Sequence, residues 1–232
     1  MEKTIKIPPL LVKVGKERHL RKLQDNGEIY FGTFSGYRAQ EKKELAEIRD
    51  ILLNDRAIDP NETGSYRGDS LEGLEQRFSG ALTIAAIGGE RKDLNIKIPD
   101  AKLNIFQNRY RHLYCLYALP SIINSEFKID QKMLKFGETA LVITKPEDFI
   151  KRICTALKSS FDIDFVKYYD PKDESKESFS VFEKQSTFAY QNEFRIAANL
   201  KEDKPICIGD IKDISKLVDA SELMNIKYKV QE

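Results

Sequence analysis

Apolar residues recur along this chain in two rhythms, the two-residue period of strands and the roughly 3.6-residue period of helices. The opening KIPPLLVKV reads as a short strand behind a stiff Pro-Pro pair. GKERHLRKLQDNG then sets Leu20 and Leu23 on one face of a charged helix that Asn26-Gly27 should stop. EIYFGTFSGYR suits a strand or a glycine-punctuated extended segment, so the first unit is strand, short helix, strand. Leu45, Ile48, Ile51 and Leu52 fall at helical spacing on a charged scaffold and predict an amphipathic helix from Ala39 to Asp59.

DPNETGSYRGDSLEG carries the residues that favour turns and predicts a loop. The middle alternates strands (ALTIAAIGG, LNIKI, HLYCLYAL, TALVIT) with turn signals at Gly88-Gly89, Pro99-Asp100 and Lys145-Pro146. Beyond Pro146 a helix gathers Phe149, Ile150, Ile153, Cys154 and Leu157 on one face, which makes Cys154 a core residue. DIDFVKYYD reads as a strand and DPKDESKESF as a solvated loop. FEKQSTFAYQNEFRIAANL reads as a strand or a pair of strands, KPICIGDI as a strand and DISKLVDASELMN as a helix. The expectation is a single α+β domain over residues 1–232, with mixed or antiparallel sheets flanked by helices.

Composition narrows the function classes. At 232 residues and 41% apolar content the chain can bury a sizeable core. Lys+Arg (38) and Asp+Glu (37) cancel, so no whole-molecule field draws it to nucleic acid or an anionic membrane. The 3 cysteines, Cys115, Cys154 and Cys207, lie far apart with only 2 histidines in the chain, which argues against a zinc site and a disulfide framework. The start lacks the apolar run of a signal peptide or membrane span, and the expected compartment is the cytoplasm. Walker A, GxGxxG, HExxH and EF-hand patterns are missing, so P-loop hydrolysis, Rossmann dinucleotide binding and zinc proteolysis have no support.

The segment FAYQNEFRIAANL concentrates the candidate chemistry. Strand alternation over Phe188 to Ala198 puts Phe188, Tyr190, Asn192, Phe194, Ile196 and Ala198 on one face. Gln191, Glu193 and Arg195 then form a polar stripe on the other, a rigid platform for a ribose or phosphate. From alternation alone the plainer interpretation is a solvated face with a Glu–Arg pair of little energetic weight.

Tyr190, Glu193, Phe194, Arg195 and Ile196 carry a resemblance to the glutamate strand of bacterial and phage proteins with a mono-ADP-ribosyltransferase-like fold. LVKVG, KERHLRKLQDNG and EIYF are similar to the strand, helix, glycine turn and strand that open that fold. The family's first strand presents His or Arg beside Gly to the nicotinamide-ribose half of NAD. Here Gly15 agrees and Lys13 stands where His or Arg is absent. The resemblance implies NAD as cofactor and Glu193 as catalytic residue, stabilising an oxocarbenium-like transition state as nicotinamide leaves. It further implies Gly15 at close approach to NAD, Lys13 or Arg38 facing the pyrophosphate, and Gln191 and Arg195 supporting Glu193. The acceptor would be a macromolecule, protein or nucleic acid, and the setting phage–host conflict, as for a toxin.

Other candidates stand beside these. Arg67, Asp69 and Glu72 in SYRGDSLEG have the chemistry to clamp a phosphate or face a substrate, or are hydrated loop charges. Tyr37-Arg38 after Gly36 suits stacking and phosphate contact, or is an ordinary strand end. Arg109, Tyr110, Arg111, His112 and Tyr114 form a basic-aromatic cluster suited to nucleic acid, although a strand would split them between faces. His112 has no nucleophile elbow to serve and reads as structural. The alternatives to an ADP-ribosyltransferase are therefore a non-catalytic binding module using the same cleft, and a nucleic-acid binder or nuclease using Asp69 and Glu72 with the Arg109 to Tyr114 cluster.

Overall fold

Strand β1 (Leu10–Gly15) shows the design of the molecule, because it buries Leu11 on one side of a sheet and Val12 and Val14 on the other. A strand that is apolar on both faces belongs inside a sheet covered on both sides. The computed structural model describes residues 7–37, 39, 112–119, 129–173, 175–201 and 204–223, and the backbone alone of 74–85 and 95–106. After β1 come helix α1 (Glu17–Asn26), β2 (Glu28–Ile29), β3 (Gly32–Thr33) and a helix α2 described over residues 34–37. A long hairpin, β4 (Leu74–Ala85) and β5 (Asn95–Phe106), precedes β6 (His112–Leu119), β7 (Thr139–Ile143) and α3 (Pro146–Ala156). The last part holds β8 (Phe161–Phe165), β9 (Lys167–Tyr169), β10 (Glu183–Gln185), β11 (Glu193–Ala198), β12 (Ile206–Cys207), β13 (Ser215–Asp219) and the short α4 (Ala220–Leu223).

The main sheet has seven strands in the order β13-β7-β1-β6-β11-β8, with β3 also paired to β6, and every pairing in it is antiparallel. The architecture is thus α+β, an antiparallel sheet flanked by helices. On one face α1 contributes Leu20 and Leu23, and α3 contributes Phe149, Ile150 and Ile153, to one continuous apolar cluster with Phe194 and Ile196. The opposite face carries two separate clusters. One joins Val12, Val14, Tyr117 and Met133 to Ala220 and Leu223 of α4. The other joins Phe34, Leu113, Val181 and Ala197. Among the described residues no helix is long and apolar enough to cross a membrane.

The opening strand, helix and glycine stop match the sequence expectation. Gly27 sits in the left-handed region (φ 63) and donates its N–H to the Leu23 carbonyl, closing α1. Pro146 takes the first turn of α3, where its missing N–H costs nothing. Elsewhere the pattern is corrected. Extended structure after Gly32 ends at Thr33, where α2 begins. Pro99-Asp100 does not end a strand but lies within β5, at a register shift opposite Gly80 and Leu82, so the proline marks a bulge rather than a turn. The DIDFVKYYD strand breaks at Val166 into β8 and β9. DISKLVDASELMN is helical only at its ends, in a 3-10 turn up to Ile214 and in α4: between them Ser215 to Asp219 add a strand to the edge of β7, whose unpaired ladder outweighs local helix propensity. The predicted helix of Ala39 to Asp59, the loop from Asp59 to Gly73 and the Gly88-Gly89 turn lie outside the described residues, save Ala39.

A Cβ at position 27 would meet the Gly209 carbonyl oxygen at 2.1 Å while forcing a left-handed backbone on an L-residue. Gly27→Ala is expected to destabilise the fold by at least about 1–3 kcal/mol. Urea titration should show a lower midpoint with an unchanged slope.

Candidate functional site

Glu193 opens β11, and the chain just before it is bent rather than extended. Ser186–Gln191 form a 3-10 helix, and Asn192 takes a left-handed conformation (φ 36), which asparagine tolerates better than most residues. The side-chain amide of Asn192 donates to the Ala118 carbonyl, and the Ala118 N–H donates to the Asn192 carbonyl, so the chain is pinned to β6 at the residue before β11. The Glu193 N–H donates to the Tyr168 hydroxyl (2.9 Å), and its carbonyl accepts from the Val166 N–H (2.9 Å). The backbone at Glu193 is therefore held on both sides.

The predicted alternation is corrected accordingly. It holds only from Glu193 onward, with Phe194, Ile196 and Ala198 in the continuous apolar cluster. Gln191 reaches the site from the 3-10 helix instead. Nor is the polar stripe solvated: Glu193 is 5% exposed and Arg195 0%.

A buried carboxylate needs partners, and Glu193 has cations on both oxygens. Lys184 Nζ from β10 donates to Oε1 at 2.7 Å, and Arg195 Nε donates to Oε2 at 2.7 Å. Lys184 also donates to Gln191 Oε1 (2.8 Å) and lies 4.7 Å from the Phe188 ring centroid. Arg195 donates through a terminal nitrogen to the Val181 carbonyl (2.6 Å). Burial by itself would raise the Glu193 pKa. The Arg195 guanidinium and then the Lys184 ammonium reverse that effect and hold the carboxyl well below the usual carboxylate range.

Beside this triad lies a cavity of about 270 Å³. Glu193, Lys184 and Gln191 form its polar wall, Val14, Tyr117 and Phe136 part of its apolar wall, and Lys13 and Tyr37 also line it. Lys13 reaches it through a gap in the sheet. β1 pairs with β6 only from Leu10 to Val12, against Tyr117 to Leu119. β3 takes up β6 again only at Leu113 and His112. Across that interval the Lys13 ammonium donates to the Cys115 carbonyl (2.7 Å) and lies 4.8 Å from the Tyr114 ring centroid. Burial pulls the Lys13 pKa below the ordinary lysine value, against the opposing charges of Cys115 and Glu193.

Of the residues proposed from sequence, Glu193, Gln191 and Lys13 converge on this cavity, and Arg195 lies behind Glu193, fully buried. Gly15 lies away from the cavity lining. It packs against the turn at Gly137, where a Cβ would come within 2.2 Å of the Gly15 backbone. Arg38, Arg67, Asp69, Glu72, Arg109 and Arg111 lie outside the described residues. His112 is 2% exposed within β6. Lys184 went unnoticed in the sequence: nine positions before Glu193 it has no strand or helix period to betray it, and only the 3-10 turn folds it back. Comparison with known protein families, curated proteins and solved structures gives no match to this chain.

Because the Glu193 pKa is depressed in the fold, its ion pairs stabilise the protein above the unfolded value near about 4.3, and that contribution is lost as pH falls toward the folded-state pKa. Lys184→Met removes one cation and raises the folded-state pKa. It is expected to cost about 3–5 kcal/mol near pH 7 and progressively less in acid below about pH 4. Urea unfolding of both proteins across this range measures the narrowing gap, and a pH-independent gap contradicts the assignment.

Proposed function

We propose that the cavity beside Glu193 takes the nicotinamide-ribose end of NAD and that the protein transfers ADP-ribose to a macromolecular acceptor, protein or nucleic acid. One observation carries this reading: an ionised carboxylate, fixed by two cations, forms part of the wall of a cavity that also has apolar and aromatic walls. A carboxylate has about four acceptor directions, and Lys184 and Arg195 use two of them, which leaves capacity for a ribose hydroxyl. The volume of about 270 Å³ is just under the range of about 300–1,000 Å³ common for ligand pockets, which suits a ring with its sugar rather than a whole dinucleotide. Tyr117 and Phe136 offer surfaces for the flat pyridinium.

In the reaction the bond between ribose C1′ and the pyridinium nitrogen breaks. The bonding pair leaves with neutral nicotinamide, and positive charge develops on the ribose. A negative charge held close by, with no reorganisation required, stabilises that state. The acceptor nucleophile then bonds to C1′ and releases a proton. Lys184 and Arg195 act as positioning residues, keeping Glu193 ionised and aimed.

A second reading has its own support. Both Glu193 oxygens already accept charged hydrogen bonds, an arrangement that also suits a purely structural anchor in a non-catalytic binding module. Calorimetric titration with NAD, together with chromatographic measurement of released nicotinamide, separates the two. Saturable binding with slow release is expected, and Glu193→Gln should reduce release by about 100- to 1,000-fold. Binding by the wild type without any release rejects transfer and leaves the binding module. Neither binding nor release rejects NAD altogether.

A further inference from the structure

On the opposite face of the sheet gap lies a second cavity, of about 490 Å³, between α1 and the sheet. Leu20 and Leu23 give it an apolar wall, and Tyr114 and Lys13 meet it from the sheet side. Tyr114 is 4% exposed, yet its hydroxyl has no hydrogen-bond partner among the described residues. A buried phenol without an acceptor is costly, on the order of 1–3 kcal/mol, and needs an explanation. Nothing in the packing requires a hydroxyl there, since the ring already packs at a tilt against Phe31, with centroids 5.6 Å apart, and lies under the Lys13 ammonium.

The surrounding charge tells what kind of ligand would complete it. Lys13 and Lys22 line the cavity against Glu28 as the acid, and Lys22 lies 3.6 Å from the Glu28 carboxylate. The Lys13 ammonium spends one donor on the Cys115 carbonyl and has three in all. An unsatisfied O–H donor and a cation with donors to spare, beside an apolar wall, match a ligand with an anionic acceptor at one end and a hydrocarbon body. The volume falls inside the range common for small-molecule sites.

We propose that this cavity is a binding site for a small amphipathic carboxylate, whose head group accepts from the Tyr114 hydroxyl and the Lys13 ammonium while its apolar body lies along Leu20 and Leu23. The site lies on the other face of the sheet and does not rest on the chemistry assigned to Glu193, although Lys13 lines both cavities.

The test titrates the full chain with octanoate and with benzoate, following protein NMR shifts, and repeats both with 1-octanol and with Tyr114→Phe. Saturable shifts with a carboxylate are expected, weakened about tenfold or more in Tyr114→Phe, with 1-octanol binding more weakly than octanoate. Tyr114→Phe removes only a hydroxyl without a partner, so its unfolding midpoint should equal or exceed that of the wild type and folding does not confound the comparison. Affinity unchanged by Tyr114→Phe, equal affinity for the alcohol, or no saturable shift with either carboxylate overturns the proposal.

Discussion

The paired charge at Glu193 is the constraint around which the rest of this fold is arranged. A carboxylate buried to this degree needs compensation, and the compensation comes from three parts of the chain: Lys184 on β10, Gln191 on the 3-10 helix, holding Lys184, and Arg195 on β11. Their polar atoms occupy the sheet face between the Val12–Tyr117 cluster and the Phe34–Leu113 cluster. On the other face, where β11 presents Phe194 and Ile196, the apolar residues form one cluster. One face therefore carries a single apolar cluster with a cavity between α1 and the sheet, while the other is divided and keeps a cavity at the division.

A second constraint concerns the backbone. β6 exchanges one neighbour for another along its length, β1 at one end and β3 at the other. Unsatisfied carbonyls inside a protein are costly, so the interval between the two neighbours needs a donor from elsewhere. The Lys13 side chain supplies it at Cys115, and by doing so lines the cavities on both sides of the sheet. The Lys13 side chain thus answers a backbone requirement and lines both cavities. The two cavities share this one residue.

Several parts of this arrangement were legible in the sequence because they depend on near neighbours. The α1 stripe of Leu20 and Leu23, its glycine stop and the Pro146 helix start each follow from a short window of residues. Glu193 and Gln191 stand out as part of a polar stripe on one strand face, and Lys13 through the resemblance of its strand to the opening strand of the ADP-ribosyltransferase-like fold. Lys184 was not legible, since the distance that matters is closed by a 3-10 turn and a left-handed Asn192 that no period announces. The burial of Arg195 was hidden for a related reason: alternation says which residues share a face, not what covers that face.

By itself the sequence determined the periodic elements, the α+β character and the clustering of polar candidates around Glu193, because those properties are set by side-chain order over a few residues. Tertiary structure decided which strands became neighbours, that Ser215 to Asp219 would complete an edge instead of a helix, and that the β11 charges would be enclosed rather than hydrated. Those outcomes turn on pairing and desolvation between segments far apart in the chain. Their energies depend on distances that residue order alone does not contain.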